Sequence, residues 1–316
     1  MPGVESNNNL AIEVNDLTKR YGQLIAVDHI SFAVKKGELF GFLGPNGAGK
    51  TTTVRILTGV IRADGGRASI SGHAVGSLKA KQMAGVVPEM ANAYVDLSGW
   101  DNLMIMAELY GISTSMARER SSNLLQDLGL LPRKDSLVKT YSKGMKQRLI
   151  LCMALLSDPE VLFLDEPTSG LDVQSARLIK DLLRRLNKAG STIFLTTHYM
   201  DEANELCDKV AIINKGKIVA IDAPEKLRLA TSAMHSVEIS FADTTNPEDL
   251  AKLPGVNTVN KVGDKYRLYT ADPGDLVVSL VNYSRSVGLK IVSLNILAPS
   301  LEDAFVALTG KEEKGG

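Results

Sequence analysis

Glu38-Leu-Phe-Gly-Phe-Leu-Gly-Pro-Asn-Gly-Ala-Gly-Lys-Thr-Thr-Thr-Val-Arg-Ile-Leu57 passes from a short apolar run through a glycine-rich octet into a helical pattern. The octet, Gly44-Pro45-Asn46-Gly47-Ala48-Gly49-Lys50-Thr51, fits G-x-x-x-x-G-K-[ST], and its flanks are the strand and helix that the motif requires. Glycines let backbone N–H groups curl around phosphate oxygens, and the following helix N-terminus adds partial positive charge. Lys50 is placed to reach the β and γ phosphates of a nucleotide and Thr51 to ligate magnesium, with Thr52 counted among the nucleotide contacts.

Further along, Val161-Leu-Phe-Leu-Asp-Glu166 sets two carboxylates at the end of a buried strand. Ligands of α/β sheets sit beyond the carboxyl ends of the strands, so both side chains are expected to face the phosphates. Asp165 is expected to hold magnesium and Glu166 to polarise the attacking water as general base.

The rest of the chain is compatible with this reading. At roughly 150 residues per domain, 316 residues imply about two domains. Lys plus Arg (36) equal Asp plus Glu (36), so no global field recruits nucleic acid or an anionic membrane. The longest unbroken apolar run, Leu149 to Leu156, is far short of the roughly 18 residues of a membrane-spanning helix. The polar, acidic start Met1-Pro-Gly-Val-Glu-Ser-Asn-Asn-Asn9 is the reverse of a signal peptide, which places the chain in the cytoplasm. Cys152 and Cys207 form no CxxC pair and are expected as core thiols.

Residues 11 to about 222 alternate short β runs with helical patterns, as at Thr192-Ile-Phe-Leu-Thr196 and Val210-Ala-Ile-Ile213. Continuous apolar runs predict strands buried on both faces, hence a mainly parallel sheet covered by helices. Between Gly99 and Leu156 the β runs vanish. Met145, Leu149, Met153 and Leu156 recur at helical spacing, which predicts an amphipathic helix within a helical insertion spanning about residues 90–157. After Pro224 and a short helical stretch the order becomes β-α-β-β-α-β, the order of a small α+β ferredoxin-like unit. The predicted domains are 9–230 and 231–312. A last helix is expected from Ser300, its cap, to Leu308, ended by Gly310.

These motifs resemble the nucleotide-binding subunits of ABC transporters, and the resemblance runs in order through residues 11 to 220. Tyr21 in Lys19-Arg-Tyr-Gly22 matches the aromatic that stacks on adenine. Tyr141-Ser-Lys-Gly-Met-Lys-Gln-Arg148 matches the signature motif through Ser142 and Gly144, Ser169-Gly-Leu-Asp172 the D-loop, and His198 the switch histidine. Singly, Tyr21 reads as a surface aromatic, His198 as a core histidine and Ser142 as a helix cap; around a phosphate loop, in this order, the functional reading prevails. The resemblance implies a P-loop NTPase fold of the ABC type, ATP and Mg2+ as ligands, and a head-to-tail dimer in which Ser142 and Gly144 meet the nucleotide of a second copy. Two positions depart from the family. Glu89 stands where a glutamine is usual and brings a further carboxylate toward Asp165, Glu166 and the metal. In the signature, Lys143 and Met145 replace a glycine and a glutamine, and Lys143 reads as a solvated side chain.

The form Tyr-Ser-Lys-Gly-Met and the tail Pro299-Ser-Leu-Glu-Asp-Ala-Phe-Val-Ala-Leu-Thr-Gly310 resemble daunorubicin-resistance-type export ATPases. That resemblance implies a subunit peripheral on the inner face of the cell membrane, driving export of a drug, lipid or other amphiphile through a separate permease. The helical insertion is its expected docking surface, with Tyr94 and Trp100 as candidate contacts. The alternative is a soluble ABC ATPase acting in translation or DNA maintenance. Against it stand the single phosphate loop and the absence of sustained heptads. Neither Asn187-Lys-Ala-Gly190 nor Asn214-Lys-Gly-Lys217 completes the guanine reader of a GTPase.

Overall fold

The computed structural model describes residues 9–90, 93–230, 235–297 and 300–309. The chain divides into two compact units, Met1–Ala223 and Pro224–Gly316. In the first, the elements follow as β1 (Leu10–Tyr21), β2 (Leu24–Lys35), β3 (Leu39–Leu43), α1 (Lys50–Leu57), β4 (Gly65–Ile70), β5 (His73–Ala74), α2 (Leu78–Gln82) and β6 (Ala84–Val87). The helical stretch holds α3 (Gly99–Leu109), α4 (Thr114–Asp127) and α5 (Lys143–Leu155). Then come β7 (Val161–Asp165), α6 (Val173–Lys188), β8 (Thr192–Thr197), α7 (Met200–Leu206), β9 (Lys209–Asn214) and β10 (Lys217–Asp222).

The central sheet has the order β10-β9-β3-β8-β7-β6 and is parallel except for the edge pair β9–β10. Every residue of β3, β7 and β8 is buried, as their unbroken apolar runs predict. Because these strands are parallel, Gly44, Glu89, Glu166 and His198 all emerge at the carboxyl end of the sheet.

A second, antiparallel sheet, β2-β1-β4-β5, is not anticipated by the sequence. The register of β1 against β2 shifts repeatedly between Leu10 and Arg20, and each bulge breaks the alternation that marks a half-buried strand. Its apolar face packs on the central sheet. Phe32 from β2 meets Phe40, Phe42 and Phe194 with ring centroids 5.5–5.9 Å apart, and Phe163 lies 5.6 Å from Phe194.

The insertion is helical, but α5 is not amphipathic. Leu149 to Ala154 are all buried, because α5 is packed between α3 and α4 on one side and β6 and α6 on the other. Helix α3 begins with a capping box in which the Ser98 hydroxyl accepts the Asp101 N–H at 3.0 Å and the Asp101 carboxylate accepts the Ser98 N–H at 3.2 Å. Both cysteines are free and buried, and burial pushes both thiols well up.

The second unit contains α8 (Pro224–Ala230), β11 (His235–Phe241), α9 (Pro247–Ala251), β12 (Thr258–Val262), β13 (Lys265–Thr270), α10 (Pro273–Val287), β14 (Ile291–Leu297) and α11 (Leu301–Thr309). Its sheet order is β12-β13-β11-β14, with every neighbouring pair antiparallel. Val237, Ile239 and Phe241 of β11 form its core with Leu250 of α9 and Leu276 and Leu280 of α10. Helix α8, assigned to the first domain from the sequence, packs on α11 and belongs to this unit. Ser300 caps α11 as expected, its hydroxyl accepting the Asp303 N–H at 3.1 Å. The expected terminator, Gly310, lies outside the described residues.

Phe194 is fully buried and is the ring shared by four others. Phe194→Ala is expected to cost about 3–5 kcal/mol, read as a lowered denaturant midpoint for the first unit. A shift below about 1 kcal/mol would mean that the two sheets repack around the hole.

Candidate active site

The turn from β3 into α1 is shaped by glycines. A Cβ on Gly44 would lie 2.3 Å from the Ile213 carbonyl oxygen, and one on Gly49, at φ 108°, 2.3 Å from that of Ala26. Gly49 is also the N-cap of α1 and offers no side chain, so the first N–H groups of the helix stay available to a ligand. Ala48 is buried, and its carbonyl accepts the Gly216 N–H at 3.0 Å, which anchors the loop to the β9–β10 hairpin.

Lys50 is buried, only 4% exposed. Its ammonium donates to the carbonyl oxygens of Gly44 at 2.7 Å and Pro45 at 3.0 Å, and lies 3.2 Å from Glu166 Oε1. The other oxygen of Glu166 is 2.8 Å from His198 Nδ1. Glu166 has φ 50°, an uncommon conformation for a residue with a side chain, and its N–H donates to the carbonyl and the hydroxyl of Thr196, each at 3.1 Å. The same hydroxyl donates to Asp165 Oδ1 at 2.5 Å.

Beside this triad lies a cavity of about 750 Å³, lined by Tyr21, Leu24, Ile25, Ala26, Asn46, Gly47, Gly49, Lys50, Thr51, Thr52, Glu89, Glu166, Ser169, His198 and Lys215. Its size suits a nucleotide. Tyr21 is half exposed, with the Lys19 ammonium 5.6 Å from its ring centre. Glu89 is exposed at the wall and, among the described residues, makes no ion pair. Thr51, Asp165 and Glu89 supply hard oxygen donors at one end of the sheet. Among the described residues no group of three His, Cys, Asp or Glu forms an all-protein metal cage.

Ser142, Gly144 and Asp172 do not line this cavity. They form a second cluster where two helices begin side by side. Ser142 caps α5, accepting the Met145 N–H at 3.2 Å, and Asp172 caps α6, accepting the Ser175 N–H at 2.8 Å. Hydrogen bonds from the Ser175 N–H and then its hydroxyl hold the Asp172 carboxyl below the usual range. Gly144 fits between them: a Cβ there would lie 2.3 Å from Ser175 Oγ. Lys143, expected to be merely solvated, is exposed yet donates to the Ser169 carbonyl at 2.9 Å.

Residues 27–169 match the family model described as ABC transporter. The chain is 35% identical to the linearmycin resistance ATP-binding protein LnrL of Bacillus subtilis, over 95% of its own length and 98% of the relative's. It is 36% identical to the daunorubicin/doxorubicin resistance ATP-binding protein DrrA of Streptomyces peucetius, over 95% and 92% of the two chains. Among solved structures, the dimeric bacterial ABC transporter cassette MJ0796 shares the fold with a TM-score of 0.63 at 23% identity, over 67% of this chain and 98% of that one. This chain belongs to the ATP-binding proteins of ABC transporters. It is an ATPase of the export type, as the resemblance in its motifs implies.

Of the ABC motif residues, the loop, Tyr21, Glu89, Glu166 and His198 come together around one cavity, whereas the signature residues and Asp172 face elsewhere in the single chain. Leu24, Ile25, Ala26 and Lys215 also line the cavity and went unnoticed in the sequence, as did Ser169 as a wall residue. The first three carry only the signal of an ordinary strand. Gly49→Ala is expected to abolish nucleotide binding in a fluorescence titration while the circular dichroism spectrum is retained, because backbone conformation and the Ala26 carbonyl both exclude the methyl group. Undiminished affinity would show that the loop can rebuild.

Proposed function

We propose that this ATP-binding protein powers export of an amphiphilic compound through a separate membrane permease, with Glu166 as the general base. The observation that carries the reading is the buried Lys50–Glu166 pair beside the phosphate loop, with the partly exposed His198 against the second Glu166 oxygen. Lys50 supplies positive charge to the β and γ phosphates. Glu166 orients and deprotonates the attacking water, and His198 holds the carboxylate in place. Tyr21 offers its exposed ring to the adenine. Mg2+ is assigned to Thr51 and Asp165, with Glu89 as the third oxygen donor toward the ion; bound there, it would offset charge on the phosphates. Asn46, Gly47 and Gly49 approach the phosphates through their backbone.

The second cluster is assigned to a second copy of the chain. Ser142 and Gly144, at the N-terminus of α5, suit the γ-phosphate held by the other copy, and Asp172 lies beside them in the D-loop. The amphiphile class rests on relatives named for resistance to linearmycin and to daunorubicin/doxorubicin. No described helix is long and apolar enough to cross a membrane, which supports assigning the conduit to another chain. The sheet order and all-antiparallel pairing of the second unit support a ferredoxin-like fold for it.

Glu166→Gln is expected to bind ATP with nearly unchanged affinity and to lose about 100-fold or more in turnover, because the base is lost while the phosphate contacts stay. Size exclusion with ATP and Mg2+ should then show an accumulated dimer. A monomer with normal turnover would remove Glu166 from the role.

For the permease contact, the helical stretch offers Tyr94 rather than Trp100. Tyr94 is 57% exposed, whereas Trp100 is only partly exposed and lies under the Lys134 ammonium at 4.7 Å. A photo-cross-linker at position 94 should capture the membrane subunit. Capture from the second unit alone would contradict the assignment.

A further inference from the structure

Between Thr51 and Pro88 the chain carries five cations, Arg55, Arg62, Arg67, Lys79 and Lys81, against the single acid Asp64. All five are exposed, and among the described residues none is in an ion pair. Asp64 does not offset them. Its carboxylate accepts the Arg20 N–H at 2.6 Å and the Lys19 ammonium at 3.0 Å, and these contacts hold its carboxyl below the usual range.

Arg62, Arg67 and Lys81 stand around a cavity of about 490 Å³ whose apolar lining includes Leu17, Ile56 and Ile61 and whose lining holds no acid. Two loops meet in its wall: a Cβ on Gly59 would lie 3.0 Å from Gly76 Cα and 3.2 Å from Lys81 Cε. Val60, in the first loop, and Leu78, the first residue of α2 just after the second, turn large apolar side chains to solvent at 69% and 72% exposure.

Exposed cations without a carboxylate partner around an apolar hollow, flanked by aliphatic side chains that water solvates poorly, combine on one surface two features that a single kind of partner can meet together. An anionic lipid interface satisfies all of it. Phosphate head groups meet the ammonium and guanidinium groups, and the aliphatic side chains enter the acyl boundary. A nucleic acid would use the cations but leave Val60 and Leu78 in water, and the lining has no aromatic ring to stack a base. Since the whole chain is neutral, the attraction belongs to this patch and not to the protein's overall charge.

We infer that this face of the ATP-binding unit seats on an anionic phospholipid leaflet, with a head-group phosphate among Arg62, Arg67 and Lys81 and with Val60 and Leu78 at the acyl boundary. The contact is made by this chain itself, in addition to the permease contact, and stands or falls independently of the catalytic assignment.

Co-sedimentation of the purified full chain, without its permease, tests it. Binding is expected to mixed phosphatidylcholine–phosphatidylglycerol vesicles and not to pure phosphatidylcholine, and to weaken as salt rises. The triple substitution Arg62→Gln, Arg67→Gln, Lys81→Gln should reduce vesicle affinity on the order of 100-fold, each cation near the surface contributing about fivefold. Its nucleotide affinity should match wild type, which establishes that it is folded. Leu78→Ser should weaken binding several-fold without altering the salt dependence. Equal binding of the triple variant and wild type would overturn the inference. So would release of the chain from vesicles by millimolar inorganic phosphate, which would assign the hollow to a soluble anion. Loss of permease co-purification in the triple variant with vesicle binding intact would likewise overturn it, assigning the face to an acidic protein segment.

Discussion

An ammonium buried as deeply as that of Lys50 has to be satisfied where it lies, and most of this site follows from how that is done. Removing such a charge from water costs several kcal/mol, and a single opposite charge does not by itself offset the loss. Here two carbonyl oxygens share the task with Glu166. Turning the Gly44 and Pro45 carbonyls inward demands a loop tight enough that Gly44 presses on Ile213. Reaching Glu166 demands that β7 end level with β3, although β8 lies between them in the sheet. The ion pair therefore fixes the relative heights of three strands. Its value is positional, since a buried pair contributes little net stability but breaking one partner leaves an uncompensated charge.

The second cluster is built by a different economy of space. Gly144 admits close approach of α5 to α6, and Gly170, at φ 65°, leaves room for the Lys143 ammonium, which lies 2.5 Å from where a Cβ would stand. Lys143 thus occupies the space beside Gly170 and donates a hydrogen bond to the Ser169 carbonyl. Because Ser169 also lines the nucleotide cavity, that bond joins the two clusters within one chain. An exposed single hydrogen bond of this kind contributes roughly 1 kcal/mol at most, so it biases the position of the D-loop without locking it.

What was legible in the sequence was whatever depends on local chemistry. The glycine loop, the fully apolar strands β3, β7 and β8, the strand Lys265–Thr270 and the Ser300 cap all carry their cause in adjacent residues. Features decided at a distance were missed. The sheet containing β1 and β2 was hidden by its bulges, and the burial of α5 on every side depends on neighbours from four other elements. Leu24, Ile25 and Ala26 enter the cavity wall because β2 passes the loop, and no residue type marks that. The role of Lys143 was underestimated for the same reason, because its partner is 26 residues away.

The adjacent carboxylates show how one strand end serves two purposes. Successive residues of a strand point to opposite faces, so Asp165 and Glu166 in regular β geometry would diverge. The left-handed turn at Glu166 redirects its side chain toward Lys50 and His198, while Asp165 stays in the strand and is buried. Such a conformation costs of order 1 kcal/mol or more for a residue with a Cβ. Two hydrogen bonds from the Glu166 N–H to Thr196 offset it. The Thr196 hydroxyl accepts from one of the two residues and donates to the other, so its single proton is committed to Asp165. One hydroxyl on β8 therefore orients both groups at once. It leaves Asp165 with one oxygen occupied and Glu166 with both side-chain oxygens directed at cationic or ring-nitrogen partners beside the cavity. Substituting Thr196 by valine removes both hydroxyl bonds, but the Glu166 N–H keeps its bond to the backbone carbonyl of residue 196 while Asp165 Oδ1 loses its donor outright, so the two carboxylates would be affected unequally, Asp165 more than Glu166.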